Sequence, residues 1–174
     1  MTHRRPSLRL TAAAALSILA LAAVAPAAET AAKRYTANLI NDDPREGRKV
    51  ESLQIEIERL STPEELAALG NGGAKQAAAI GSARLDRTTA RSVVAAYESN
   101  GTLIVVFEKP RNWFAGSRNP SAKKFPHGVV EIALDGKGQG KLMAGAQVKF
   151  AAGGIEVSNP ASEMKLINVA PAQG

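Results

Sequence analysis

One segment of the sequence combines positive charge with aromatic rings and lies between two predicted strands. No acidic residue occurs between Glu108 and Glu131, and this stretch holds three of the seven aromatic residues. Cations interleaved with aromatic rings bind anionic ligands, lipid headgroups or single-stranded nucleic acid through ion pairing and stacking. We therefore predict a ligand-binding segment composed of Lys109, Arg111, Trp113, Phe114, Arg118, Lys123, Lys124 and His127.

The same segment also has a structural interpretation. Trp113 and Phe114 could close the open end of a sheet, because a chain with so few aromatic side chains has little else to fill that space. The neighbouring cations would then be solvated without binding anything. The sequence leaves both interpretations open.

Two further patterns could support catalysis. Glu56 and Glu58 lie two residues apart on a predicted strand, and a carboxylate pair facing a cleft can hydrolyse glycosidic bonds. Their alternation with apolar residues instead indicates the solvated face of a strand. His127 is the only histidine beyond the amino-terminal segment, and a general base needs a nucleophile or acid beside it. We therefore predict a protein that is not an enzyme, with a hydrolase as the weaker alternative, and neither a metal site nor a cofactor.

A glycine-rich stretch invites comparison with nucleotide-binding loops. A dinucleotide site needs Gly-x-Gly-x-x-Gly between a strand and a helix, so that the helix N-terminus meets the phosphates. Here Gly136, Gly138 and Gly140 have a different spacing, and an apolar alternating stretch follows them. This pattern predicts a turn between two strands.

The elements that must position these residues are organised around residues 91–108. Two apolar runs flank Asn100-Gly101, the pair best suited to a two-residue turn with positive φ at both positions. Such a turn predicts a hairpin with the pairs Ser99–Thr102, Tyr97–Ile104, Ala95–Val106 and Val93–Glu108 on one face, and Ala96–Val105 and Val94–Phe107 on the other. Because both faces are apolar, both must be covered.

The remaining sequence predicts more strands and one short helix. Period-two alternation marks strands near 49–60, 130–134 and 142–150, and further strands are predicted at 35–40, 83–87, 155–158 and 164–169. Thr62-Pro63-Glu64-Glu65 is a helix start with a capping box, and a second short helix is possible over 74–80. We predict an all-β, mainly antiparallel fold: a barrel or sandwich of about eight or nine strands with one short helical insertion after the second strand.

The amino-terminal residues resemble a secretory signal peptide. Three arginines precede an apolar run of about 15 residues, which is short of the roughly 20 that span a bilayer. We expect residues 1–27 to be removed, by general secretion or twin-arginine export, leaving residues 28–174 as a single β-rich domain. Removing these arginines lowers the formal net charge from +6 to +3, so the basic composition argues little for nucleic acid. The chain contains no cysteine, which excludes disulfides and thiolate chemistry.

The order of these elements resembles a set of small exported bacterial proteins of unknown function. The resemblance covers residues 35–169 and depends on the helix start, the central hairpin, the basic segment and the glycine-rich turn. In outline the chain is also similar to lipocalins, although no Gly-x-Trp occurs near the mature start.

Together, these features predict a non-catalytic protein of the cell envelope, periplasmic or secreted, that binds an apolar or amphipathic anionic ligand. The alternative is a structural protein that docks another envelope protein through the basic segment or an exposed sheet edge. In neither case do we expect a membrane span after signal cleavage.

Overall fold

The structure, a computed structural model, describes residues 32–43, 47–72, 78–86, 88–108 and 125–172. The predicted signal segment lies outside these residues. The described chain forms nine strands and one helix: β1 (Lys33–Asp43), β2 (Gly47–Ile57), α1 (Pro63–Gly70), β3 (Gly81–Leu85), β4 (Arg91–Ser99), β5 (Thr102–Glu108), β6 (His127–Ala133), β7 (Gln139–Ala151), β8 (Gly154–Ser158) and β9 (Ser162–Pro171).

Eight of these strands close into an antiparallel barrel. Strands β1 to β7 pair in chain order, β7 then pairs with β9, and β9 pairs with β1. Strand β8 lies outside the closed barrel and pairs with the second half of β7. The predicted fold class is confirmed, with a barrel in place of the sandwich alternative and a single short helix after the second strand.

The central hairpin forms β4 and β5 around the expected turn. Asn100 and Gly101 have φ values of 49° and 72°, as a two-residue turn of this kind requires. The pairs nearest the turn are as predicted, including Tyr97–Ile104 and Ala95–Val106.

The far end of the hairpin differs from the prediction. A register shift between Val93 and Ala95 pairs Val93, and not Val94, with Phe107, so the predicted Val93–Glu108 and Val94–Phe107 pairs are wrong. The extra residue of this β-bulge places Val94 and Ala95 together in the outer apolar cluster, while Val93 belongs to the interior.

Apolar side chains fill the barrel interior. Leu53, Ile55 and Ile57 of β2 belong to this interior core, where each buried member is at most 9% exposed. The Phe107 ring crosses the interior above Gly128, where an added Cβ atom would lie 2.5 Å from the ring. Eight-stranded barrels are just wide enough for side chains to fill, and this one uses that space for packing.

A second apolar cluster lies on the outer side of β4, β5, β6 and β7. Leu66 and Leu69 of α1 pack there against Val94, Ala95 and other outward-facing side chains. The β7–β8 hairpin supplies further apolar members of the cluster, Val148, Phe150, Ile155 and Val157. The helix and this outer hairpin therefore cover the second face of the central strands, as the doubly apolar sequence requires.

The helix begins as the sequence predicts. The Glu65 N–H donates to Thr62 Oγ1 (3.3 Å) and the Thr62 N–H donates to Glu65 Oε2 (2.9 Å), which forms the capping box. Of the possible second helix at 74–80, residues 74–77 lie outside the described part of the chain. Its last residue is not helical: the Ile80 N–H donates to the Val93 carbonyl (2.9 Å), bridging toward β4.

Candidate functional site

Seven of the eight predicted site residues lie in the segment 109–124, outside the described residues: Lys109, Arg111, Trp113, Phe114, Arg118, Lys123 and Lys124. The points where this segment leaves and rejoins the barrel are described. Glu108 ends β5 and pairs with His127, which begins β6. Both ends are therefore held at the same rim of the barrel, opposite the Asn100-Gly101 turn along the β5 strand.

The eighth residue, His127, is described and has an unusual environment. It is half-buried, and its ring stands edge-on to that of Phe150, with 5.9 Å between the ring centroids and 89° between the planes. Its Nδ1 atom is buried and has no hydrogen-bond partner in the structure. Burial lowers the pKa of the imidazole, and the nearby Glu108 carboxylate partly opposes this effect. Burial therefore favours the neutral form of the ring, in which one nitrogen carries the proton and the other can accept a hydrogen bond.

This environment provides binding groups more readily than catalytic ones. Among the described residues no hydroxyl or carboxylate binds the His127 Nδ1 atom, whereas a general base needs a nucleophile or acid within hydrogen-bond reach. No group of three or more metal-ligating side chains occurs among the described residues. Of the predicted carboxylate pair, Glu56 lies at the end of β2 and accepts a hydrogen bond from Arg34 Nε (2.9 Å) on the solvated face. Glu58 was predicted on the same strand but lies just beyond it and is exposed.

A groove lies between the outer β7–β8 hairpin and the turn of the central hairpin. Its volume is about 640 Å³. Its lining is mixed: Tyr97, Ile104, Phe150 and Ile155 supply apolar surface, and Glu131, Lys149 and Glu156 supply charged groups. The Tyr97 hydroxyl donates to the Gly153 carbonyl (2.8 Å), which fastens the tip of the outer hairpin to β4. Phe150 thus contributes to the groove and also contacts His127.

A charged groove of about 540 Å³ continues from the first one, since both are lined by Thr102 and Glu131. Lys141 lies among its lining residues, with its Nζ 3.1 Å from Glu131 Oε2 and 3.6 Å from Glu163 Oε2. Burial alone would lower the pKa of Lys141, but the two carboxylates outweigh it and raise the pKa. The Lys141 cation is thus already paired, and Lys165 is the second ammonium group that lines this groove.

A third groove, on the outer side of β1, β2 and β3, is lined by polar side chains that bind one another. Arg34 Nη2 lies 2.8 Å from Glu56 Oε1, and Arg84 donates to Gln54 Oε1 (2.6 Å). Its volume is about 460 Å³. Because these groups satisfy each other at the surface, we place the candidate site on the opposite wall of the barrel.

The glycine-rich stretch forms the connection between β6 and β7, as predicted. Gly136 and Gly138 have φ values of 76° and 64°, which explains the need for glycine at these two positions. The Val169 N–H donates to the Gly138 carbonyl (3.0 Å), so the turn also contacts β9. Strand β7 follows the turn directly, so a strand stands where a dinucleotide site would need a helix.

Sequence reasoning missed Tyr97, Phe150 and Ile155 as members of a site. The signal was present in part: residues 142–150 and 155–158 were expected as strands, and the central hairpin needed a cover. The alternation of apolar and polar residues in 142–150 did not predict the bend that places the end of β7 over β4 to β6. A register shift opposite His127 and Gly128, with Gly145 at φ 58°, produces that bend.

Comparison with known proteins supplies no relative. No family model, no curated protein and no solved structure matches this chain. The resemblance to exported bacterial proteins of unknown function and the lipocalin-like outline therefore stay predictions. The described part of the chain contains no helix long and apolar enough to cross a membrane.

Proposed function

We propose that this chain is a non-catalytic, exported protein of the cell envelope that binds an apolar or amphipathic anionic ligand at the outer face of its barrel. The observation that carries the proposal is the position of His127. There an imidazole with an unpartnered buried Nδ1 stands perpendicular to the Phe150 ring, at the point where the chain returns from the cation-rich segment. A periplasmic or secreted location follows from the predicted signal peptide.

The filled interior directs the proposal to the outer surface. Lipocalin-like barrels hold a ligand inside, but here the interior positions are occupied by packed side chains such as Phe107, Leu103 and Leu142, each fully buried. The outer groove retains space beside an apolar lining. An anionic head group could meet the five cations between residues 109 and 124, whose chain ends are held at His127 and Glu108.

The test is a titration of the full mature chain followed through Trp113, the single tryptophan. Dodecanoate, vesicles of phosphatidylglycerol and an anionic polysaccharide are the anionic probes, and vesicles of phosphatidylcholine are the neutral comparison. We expect a saturable emission change with at least one anionic amphiphile and none with phosphatidylcholine. Isothermal calorimetry on the same mixtures detects binding that leaves the tryptophan unaffected.

Charge reversal locates the contact. Arg118→Glu, Lys123→Glu and Lys124→Glu combined should weaken binding of the anionic probe by about tenfold or more, since each lost cation near an anionic surface is worth about 1 kcal/mol. The matched control reverses three cations elsewhere: Arg48→Glu, Arg84→Glu and Lys137→Glu. Equal weakening by both sets, or no binding of any probe, would contradict the proposal.

A second candidate function is docking of another envelope protein. The observation that favours it is the position of β8, which among the described strands pairs only with β7 and so presents a second edge beside the outer groove. This candidate needs neither His127 nor the basic segment, and the two functions can therefore be tested separately.

A further inference from the structure

Strand β8 has one backbone edge with no partner among the described residues. It pairs with β7 through Gln147–Ser158, Val148–Val157, Lys149–Glu156, Phe150–Ile155 and Ala151–Gly154. No other strand pairs with it. The two-residue turn at Ala152 and Gly153 is fastened by the Tyr97 hydroxyl, so the edge is held in place.

The backbone groups that face outward follow from the turn. In a hairpin with a two-residue turn the flanking pair, Ala151–Gly154, is hydrogen-bonded, and hydrogen-bonded pairs then alternate along the strands. Lys149–Glu156 is the next such pair, so the N–H and C=O groups of Ile155 and Val157 point away from β7. The same alternation points the Phe150 carbonyl away from β8 and toward α1. Its oxygen lies only 2.3 Å from the position that a Cβ atom on Gly70 would occupy.

The outer groove lies along this edge. Gly154, Ile155 and Glu156 of β8 line it on one side, and Tyr97 and Ile104 line it on the other. A chain added to the edge would place alternate side chains over this apolar surface and the intervening ones toward solvent. Edge strands are commonly protected by charge or by a cover, and here Glu156 is the only charged residue of a five-residue strand.

Charge distinguishes between possible occupants. Glu131 in this groove is bound by Lys141 (3.1 Å), so the carboxylate open to a partner is that of Glu156, whose side chain is 69% exposed and lies 3.4 Å from Lys149. A second copy of the chain, pairing β8 with β8 in full antiparallel overlap, would set Glu156 directly opposite Glu156, and such like-charge pairs are destabilising. A basic segment is favoured instead.

We infer that the free edge of β8 accepts an extended segment of a partner protein by strand addition. The segment alternates apolar and polar residues, carries a basic side chain next to Glu156, and places its apolar side chains over Ile155, Tyr97 and Ile104. Main-chain hydrogen bonds to Ile155 and Val157 give affinity, and the groove gives specificity. This inference rests on the second candidate function; it uses the same outer groove as the proposed ligand but does not involve His127.

The experiment uses the full mature chain labelled with ¹⁵N and a capped peptide, Ser-Thr-Val-Lys-Val-Thr-Ser. We expect saturable amide shifts and slower amide exchange at Ile155 and Val157. Replacing the peptide lysine with glutamate should weaken binding about tenfold. Peptides N-methylated on one edge or on the other should differ in affinity, because only one peptide edge faces β8. These peptide changes leave the protein itself unaltered.

A protein variant provides the complementary test. Val157→Pro removes one outward N–H at an edge position where proline is tolerated, and should weaken peptide binding about tenfold. Val157→Ala is the matched control, since it keeps the N–H and loses only side-chain volume, and should bind within about threefold of the native chain.

Three results would overturn the inference. The first is the absence of amide shifts at β8 with either peptide. The second is equal affinity for both N-methylated isomers. The third is a doubling of mass in analytical ultracentrifugation that disappears in Val157→Pro, which would assign the edge to a second copy of the chain. Unchanged dodecanoate or vesicle binding in Val157→Pro would show that this outcome does not concern the ligand proposal.

Discussion

The two sides of this barrel treat their outer surfaces in opposite ways. On β1, β2 and β3 the outward side chains are polar and bind one another, as Arg34 and Glu56 do at the surface. On β4 to β7 a cluster of outward side chains is apolar, and a helix and a hairpin cover it. The interior is the same continuous core behind both walls.

The comparison shows where a single-walled barrel becomes a layered structure. A strand that alternates strictly, such as β2, needs only one covered face and leaves the other to water. A hairpin that is apolar on both faces would expose a large patch, so the chain supplies a second layer from its own helix and from the end of β7. The grooves arise where this second layer ends, and the candidate sites lie there.

The largest change in the free energy of unfolding is expected for a substitution on the covered side of the barrel. Leu66 lies on the buried face of α1 and is 1% exposed. Leu66→Ala should therefore lower the free energy of unfolding by about 2–5 kcal/mol through lost burial and a residual cavity. Gln54→Ala on the solvated wall should change it by no more than about 0.5 kcal/mol. Urea denaturation of both variants checks the difference. A loss below about 1 kcal/mol for Leu66→Ala would mean that the cover is dispensable for stability.

An intermediate effect concerns the attachment of the outer hairpin. Tyr97→Phe removes the hydrogen bond to the Gly153 carbonyl and should cost about 0.5–1.5 kcal/mol. Amide exchange should quicken in β8 and not in β2, because only the hairpin tip is released. Tyr35→Phe on β1 is the matched control. Equal exchange in β8 of the native and Tyr97→Phe proteins would show that the tip is held by packing alone.

The smallest expected effect is a pH dependence specific to His127. Burial lowers its pKa below the ordinary value of 6.5, with Glu108 opposing. Between the two pKa values the folded protein binds fewer protons than the unfolded chain, so the free energy of unfolding rises with pH there. Stability should therefore fall as the pH is lowered from about 7 to about 5. The difference in free energy of unfolding between the native protein and His127→Gln isolates the contribution of this histidine. A difference that stays constant from about pH 7 to about pH 5 would contradict the prediction.

Several parts of the fold could be predicted because their signals are local. The turn at Asn100-Gly101 depends on two residues that tolerate positive φ, and the helix start depends on a capping box four residues long. The alternation of apolar and polar residues in β2 directly identifies its buried face. For these elements the prediction and the structure agree almost residue by residue.

The far end of the central hairpin could not be predicted from the same pattern. Val93, Val94 and Ala95 are all apolar, so either register keeps apolar residues on both faces. The choice depends on which side chain fits beside Phe107 inside the barrel and which fits beneath α1. The same distinction applies to the candidate site. The sequence placed His127 at the start of a strand, but it did not predict that Phe150 contacts His127 or that Tyr97 and Phe150 line one groove, because both depend on the bend in β7.

The sequence by itself determined an antiparallel, cysteine-free β fold with one capped helix, because turn chemistry, capping and period-two alternation act within a few residues. Only the tertiary structure decided the closure into eight strands, the bulge at Val94 and the packing of the β7–β8 hairpin against the outer face of the barrel. Those features depend on packing between residues far apart in the chain, where many arrangements satisfy the local pattern and shape complementarity selects one.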